Sequence, residues 1–311
     1  MRLQLFLATL LIAHKWSDSV GWYDSQTGKA LATVPVGVRP HEMAWSADRK
    51  LIYVTNYGLN TWTQTEPGGN TISIIDPAGR KEIGRIELGE NRRPHGIELG
   101  RKSGRLYVTV DWPGALLVVD PVRKAVVSRH EVGKSNPHMV AVTRDESTAF
   151  VANSASGTVS LVRLTGDTKP VAIEVGGVPM GVELAPDESI CWVATRSGNQ
   201  VVGINVGSGK VVHRIDVKGE PARLRAVHGG SLLLVSLIGS GEIAVLDLKT
   251  RQEVRRLTVG KSAEGMFVDT TEKFLYVSAQ GDNKVVKFDM TTWKPVLEVK
   301  TADRPDPILE F

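Results

Sequence analysis

Three histidines stand at one repeated position of this chain: His41 in RPHE, His95 in RPHG and His138 in NPHM. Further along, the same position carries Met180, Ala222, Glu264 and Asp306. Imidazoles gathered by a repeat are a ligand set for a transition metal such as Zn²⁺ or copper, and a thioether beside them tilts the choice toward copper. A metal held there would act as a Lewis acid or lower the pKa of bound water, with Glu264 or Asp111 as general base. Neutral imidazole is the metal-binding form, so such binding is expected to weaken as pH falls through about 6.5. Three readings stay open for the trio: strand-start residues bonded to backbone, metal ligands, or a metal-free site for an anionic or polar small molecule.

A second set of residues lies close to these positions. Arg39, Arg93, Arg196, Arg223 and Arg304 would draw carboxylates or phosphates to a concave mouth, or form a solvated rim. Arg196, Arg223 and Asp306 are the polar ligand contacts expected there, and Tyr57, Trp62 and Trp112 its aromatic walls. Trp16, Trp22 and Trp192 read as packing residues. Asp24, Asp76, Asp120, Asp247 and Asp289 recur with the repeat, as do Asp48, Asp145 and Asp187. Short carboxylates at turns bond their own backbone, so these are set aside as catalytic candidates. Cys191, in ICWVAT, reads as a small core residue. No nucleophile elbow, phosphate loop, paired-cysteine metal motif or haem-attachment pair is present.

The repeat itself says what must hold these residues. Successive positions in the histidine register are 54, 43, 42, 42, 42 and 42 residues apart. Within 137–176, PHMVAVT, TAFVAN, TVSLVRL and PVAIEVG are short β-rich runs separated by polar and Gly turns. Four strands at a period of about 40–45 residues predict an all-β, seven-bladed β-propeller of antiparallel blades. Residues 9–36 match the second to fourth strands of a repeat and RPDPILEF matches the first, so both termini are expected to close one last blade and leave no open sheet edge. The first strand of each blade lines the axis, which would gather the histidines although 97 residues separate the outer two. One blade carries an insertion, YGLNTWTQTEPGGN, placed to overhang the same mouth.

The segments YVTN (53–56), YVTV (107–110), FVAN (150–153), WVAT (192–195) and YVSA (276–279) resemble the repeat of YVTN-type seven-bladed propellers, over nearly the whole chain. That resemblance implies the fold. Its relatives include surface-layer repeats, a DNA-associated periplasmic propeller and, more distantly, lactonases and cytochrome d1-like or nitrous-oxide-reductase propellers. A shared fold does not transfer an activity.

The 311 residues are 41% hydrophobic, a folded rather than disordered composition, and the unbroken repeat points to one domain over 1–311. The net charge is +4 with no basic run, which makes the electrostatic footprint for nucleic acid thin. The basic, apolar start MRLQLFLATLLIA has the character of an export signal, with residues 1–8 as its remnant. A monomer in the periplasm or outside the cell is therefore expected, with no membrane-spanning segment. The leading functional expectation is a top-face pocket that binds a metal ion or small anion through the histidines, extending to metal-assisted hydrolysis or lactone opening. The alternative is a non-enzymatic module for protein, surface polymer or nucleic acid, using Arg92, Arg93, Arg196 and Trp112.

Overall fold

A computed structural model describes residues 8–61, 63–132, 136–166 and 168–311. Trp62 and most of the expected export-signal remnant lie outside these residues. Among the described residues, seven four-stranded antiparallel sheets form the seven blades of a β-propeller. Blade one runs through Pro40–Trp45, Ile52–Asn56, Thr71–Asp76 and Lys81–Glu87. The inner strands of blades two to six are Arg92–Leu99, Pro137–Val142, Pro179–Leu184, Pro221–Val227 and Ala263–Val268. The closing blade takes its inner strand, Pro305–Glu310, from the C-terminal end and the next three from Thr9–His14, Ser19–Asp24 and Ala30–Pro35. Leu10 pairs with Glu310, Leu11 with Leu309 and Ile12 with Ile308, so the ring shuts as the repeat predicts.

The core lies between blades rather than within them. Leu11, Ala13, Val20 and Trp22 of the closing blade pack with Met43, Ile52, Val54 and Ile75 of blade one. Leu10, Ile12 and Tyr23 pack on the other side with Tyr276 and Val285 of blade six. Each blade buries its apolar faces only against its neighbours, which makes the ring an all-or-none assembly. Polar bonds follow the same seams: the Trp22 indole donates to Pro77 O at 3.1 Å and Lys287 Nζ to Ser25 O at 3.0 Å.

The recurrent turn carboxylates are structural, as their spacing suggests. Asp24 accepts from the amides of Gln26 and Thr27, Asp120 from Val122 and Arg123, and Asp289 from Thr291 and Thr292. Backbone donors facing each carboxylate hold its pKa below the ordinary aspartate value. Among the described residues no helix is long and apolar enough to cross a membrane.

Two features of the blade aim side chains at the axis. In six blades the residue before the Pro or Ala that opens the axial segment has a left-handed backbone: Arg39, Arg93, Asn136, Glu220, Ser262 and Arg304, with φ from 52° to 61°. That uncommon conformation turns the chain from the outer strand of one blade into the inner strand of the next. Immediately after the first inner-strand residue, the pairing slips. Pro40 faces Asn56 and Met43 faces Val54, so His41 and Glu42 together oppose Thr55 alone. The same bulge recurs from Pro94 to Ile97, Pro137 to Val140, Pro179 to Val182, Pro221 to Leu224, Ala263 to Met266 and, in the closing blade, Pro305 to Ile308. A bulge leaves a residue unpaired and re-aims its neighbours.

The hydroxyl of the YVTN motif satisfies this bulge. Thr55 Oγ1 accepts from the Glu42 amide at 3.0 Å and donates to His95 O of the next blade at 2.8 Å. Thr109 does the same between the Gly96 amide and His138 O. The motif's Asn also has work to do, since Asn56 Nδ2 donates to Thr71 and Ser73 on the third strand.

Candidate functional site

The bulges bring His41, His95 and His138 side by side. Ring centroids of His41 and His95 lie 3.8 Å apart and those of His95 and His138 3.9 Å apart, with the planes tilted by 49° and 39°. Tyr57 sets its ring edge-on to His41 and His95 at 5.2 and 5.5 Å, and its hydroxyl donates to Asp111 Oδ2 at 2.6 Å. The three imidazoles therefore form a stack walled by a buried tyrosine, rather than a ring around one point. His138 Nδ1 lies 3.1 Å from Met180 O. A carbonyl only accepts, so that nitrogen carries the proton and Nε2 keeps the lone pair. His41 Nδ1 and His95 Nδ1 are buried without a partner among the described residues. By contrast His14, a fourth buried histidine, is fully satisfied by Ser19 and Tyr23 at 3.0 Å each.

Beside the stack lies a buried ionic layer. Arg223 hydrogen-bonds Glu42 across the axis and stands 3.7 Å from Asp306 and 3.9 Å from Glu264. Lys15 Nζ bonds Asp306 Oδ2 at 2.5 Å. Asp306 Oδ2 also approaches His41 Nδ1 at 3.9 Å. Glu42, Arg223 and Lys15 come from places that the one-residue-per-blade reading did not single out as a group. Their signal was in the motifs: the second bulge residue is Gly96, Met139, Gly181, Gly265 or Pro307 elsewhere, but Glu42 and Arg223 in RPHE and EPAR. Two opposite charges at one ring position, facing small or apolar residues, mark a pair that meets across the axis.

Electrostatics in this layer follow from burial and these few charges. Burial, then the charges of Lys15 and Arg223, pushes His41 well below the usual histidine range. Burial does the same for His95 and His138, helped by neighbouring imidazoles and Arg223. The same causes favour the neutral imidazole in all three, so a pH dependence of binding through them is expected below the ordinary histidine range. Burial, opposed by Arg223, raises Glu42 to about 7. Burial also raises Asp306, with Lys15 pulling the other way. For Glu264 burial is outweighed by Lys15 and Arg223, and its carboxyl is held down. Burial raises Asp111 to about 7 against the Tyr57 hydrogen bond.

The other expected site residues are dispersed. Arg196 sits at the rim in an ion pair with Glu220 at 2.7 Å. Trp112 is 63% exposed at the end of its strand, and it lines none of the cavities described below. Asp111 is turned to Tyr57, away from the Arg223 layer that holds Glu264. Arg93 is buried, and its guanidinium donates to Gln64 O and Glu66 O at 2.9 and 2.6 Å. It staples the insertion instead of offering charge at the surface. Met180 gives the stack its carbonyl, while its sulfur lies 4.0 Å from Ser154 Oγ.

Two cavities flank the ionic layer. On the face of the insertion, one of about 150 Å³ is lined by Lys15, Trp16, Arg39, His41, Gln280 and Arg304, with Leu59, Asn60 and Thr61 of the insertion as one wall. Toward the opposite face, a cavity of about 380 Å³ has Glu42, Arg223 and Asp306 at one end and apolar walls including Ile97, Met139, Met266 and Phe267. The insertion is pinched shut at its base by Gly69 N donating to Tyr57 O at 2.9 Å and Gly58 N to Val38 O at 3.0 Å. A Cβ on Gly58 would fall 2.0 Å from Gly69 N, and its φ is +83°, so only glycine fits there.

Replacing Gly58–Asn70 with the short turn of another blade is expected to leave seven blades intact, because the ladder from Asn56–Thr71 is independent of the insertion and loop length costs little entropy. It frees Arg93 of two acceptors, a loss of about 1–3 kcal/mol, and removes one wall of the smaller cavity. Urea unfolding and circular dichroism check both halves of this expectation.

The comparisons with known proteins now fit the geometry. A YNCE-like beta-propeller family model matches residues 7–273, and the chain belongs to that family. No curated protein matches the chain. Among solved structures, a functionally unknown protein from Desulfotomaculum acetoxidans is 14% identical, with a TM-score of 0.81 over 97% of this chain and 98% of that one. The Kuenenia stuttgartiensis hydrazine synthase is 20% identical (TM-score 0.76, covering 90% and 92%). The Pseudomonas aeruginosa periplasmic gluconolactonase PpgL is 17% identical (0.77, covering 97% and 99%). At these identities the likeness shows the fold alone.

Proposed function

We propose that the chain binds a small oxygen-rich molecule in the insertion-face cavity and opens a lactone ring there. One observation carries this reading: neutral His41 borders a cavity lined by cations and stands in front of the buried Asp306 carboxylate. His41 Nδ1 faces Asp306 Oδ2 at 3.9 Å, and a proton on that nitrogen leaves Nε2 to accept another. Water attacks the lactone carbonyl and gives its proton to His41, and Lys15 and Arg39 lie along the same cavity to stabilise the oxyanion. Collapse breaks the ring C–O bond, and the leaving alkoxide takes the proton back from His41. The product is a hydroxy carboxylate. The likeness to PpgL, a periplasmic gluconolactonase, is compatible with this chemistry. A periplasmic setting is proposed on the same grounds.

The test is acid release from D-glucono-1,5-lactone at pH 7. The wild-type chain is expected to exceed spontaneous hydrolysis, and His41→Ala to lose about 10²–10⁴ in kcat, the range for removing a general base. Acid release no faster than the spontaneous rate overturns the reading.

One observation favours a metal instead. Ligand atoms of His41, Glu42 and His95 all lie within 4.8 Å of one another, and two of their imidazole nitrogens lack partners. A Zn²⁺ or copper ion fits that donor set, and would polarise a carbonyl when bound. The trio expected for it, His41, His95 and His138, changes one member. The Glu42 bond to Arg223 competes with such an ion. Elemental analysis of protein purified without a histidine tag separates the two: a stoichiometric metal lost in His95→Ala supports this second reading.

Of the four residues named for the nucleic-acid alternative, Arg93 is spent on loop carbonyls and Arg196 pairs with Glu220, which leaves Arg92 and the exposed Trp112 for that reading.

A further inference from the structure

The cations of the insertion-face cavity are not equivalent. Among the described residues no acidic side chain lines it. Lys15 is answered from behind by Asp306 at 2.5 Å, and Arg39 by Asp18 at 3.0 Å. Arg304 has no such partner: among the described residues its guanidinium meets only the Gln280 Oε1 at 3.4 Å and the face of Trp16, with the guanidinium carbon 4.4 Å from the ring centroid. Gln280 in turn is 3% exposed, and its amide nitrogen has no hydrogen-bond partner among the described residues. Buried amide donors are rarely left unpaired. Among the described residues, a guanidinium in direct contact with no carboxylate and a spare amide donor therefore sit side by side on the same wall, with Glu264 feeling the Arg304 charge from farther off.

Both groups are held in place before any ligand arrives. Gln280 N donates to Ser262 O at 3.1 Å, and Arg304 N to Asn283 Oδ1 at 3.0 Å. The indole fixes the plane of the guanidinium, and a planar fork matches a carboxylate with two parallel hydrogen bonds. A single carboxylate matches that guanidinium in charge. A phosphate dianion would bring a second negative charge toward Asp306, which stands behind Lys15 of this cavity. The cavity, at about 150 Å³, admits a molecule of sugar-acid size and no polymer.

We propose that Arg304 and Gln280 form a carboxylate subsite, and that the lactone opened here carries one free carboxylate in addition to its ring ester. The inference rests on the lactone reading for its second half only. It also supplies what His41 lacks, since Lys15 and Arg223 hold its basicity down and a bound anion in the same cavity works against them.

Binding and turnover separate the two claims. Isothermal titration of the full chain at pH 7 uses sodium D-gluconate, inorganic phosphate and neutral sorbitol as probes. Gluconate is expected to bind, phosphate about tenfold or more weaker, and sorbitol not measurably. Arg304→Gln is expected to weaken gluconate about tenfold or more, the loss of a charge-assisted hydrogen bond, with Arg304→Lys recovering part of it. Gln280→Leu tests the same subsite by a smaller loss, should Arg304→Gln fail to fold. In kinetics, D-glucaro-1,4-lactone is expected to be preferred over D-glucono-1,5-lactone, and Arg304→Gln to narrow that preference through KM. Gluconate binding that ignores both substitutions, or phosphate binding as tightly as gluconate, overturns the subsite. Arg304-dependent gluconate binding with no turnover of either lactone sustains the subsite and removes the hydrolase. Turnover of both lactones with equal preference does the reverse for the substrate assignment.

Discussion

Arg223→Met is expected to cost the propeller about 3–5 kcal/mol at pH 7, the penalty for removing one partner of a buried ion pair. Three buried carboxyls, Glu42, Glu264 and Asp306, share this guanidinium, and Lys15 would be left as the cation bonded to one of them, Asp306. The sign of the pH dependence follows. Burial already raises Glu42 and Asp306 above their ordinary values, and losing Arg223 raises both further, so the folded state holds more protons there and loses stability as pH rises. The deficit relative to wild type is therefore smallest near pH 4–5 and largest at pH 8. Wild type already shows a weaker form of this trend, since Glu42 is raised to about 7 by burial despite Arg223. Pairing Arg223→Met with Glu42→Leu should recover about 1–3 kcal/mol, because an apolar replacement of a buried pair is well tolerated. Urea unfolding from pH 4.5 to 8.5 measures all of this. A variant within about 0.5 kcal/mol of wild type at pH 8, the scatter of ordinary surface changes, would show that the axial layer is hydrated rather than dry.

Removing Pro305–Phe311 is expected to have the larger effect. The deletion strips the inner strand from the closing blade, unpairs Leu10, Leu11 and Ile12, and exposes the edge of Thr9–His14. It also removes Asp306, the partner of Lys15. Unpaired edges seek other chains, so aggregation, or a fall in unfolding midpoint of more than about 10 °C, is the expected result. Asp306→Asn keeps the strand and isolates the charge; its smaller loss separates closure from electrostatics. Light scattering and thermal melts decide, and a soluble truncated chain with the parent's midpoint would show that the seam contributes little.

What was legible along the chain, and what was not, can be seen at particular residues. The blades were legible because turn carboxylates such as Asp24 and Asp120, and motifs such as YVTN, repeat local chemistry at a fixed period. The histidine register was legible for the same reason: equal positions in a rotational array converge. The geometry of that convergence was not. Nothing local distinguishes rings converging on one ion from rings stacked at 3.8–3.9 Å. Tyr57 was placed at the mouth by its loop, yet it is buried as a wall of the stack, because Asp111 from the next blade captures its hydroxyl.

The sequence by itself determined the number of blades, their four-strand plan, the closure from both ends and the gathering of three histidines. Each is a consequence of short-range pattern repeated, and a period needs no knowledge of partners. The tertiary structure alone decided which charges meet. Glu42 and Arg223 are 181 residues apart and Lys15 and Asp306 are 291 apart; they touch only because seven bulges aim two residues per blade at one axis and the ring then closes. It also decided how the cations are engaged: Arg93 by the insertion, Arg39 by Asp18, and Arg304, among the described residues, in direct contact with no carboxylate. That distinction depends on what stands within 4 Å of each guanidinium, a property of the folded ring that sequence separation does not encode.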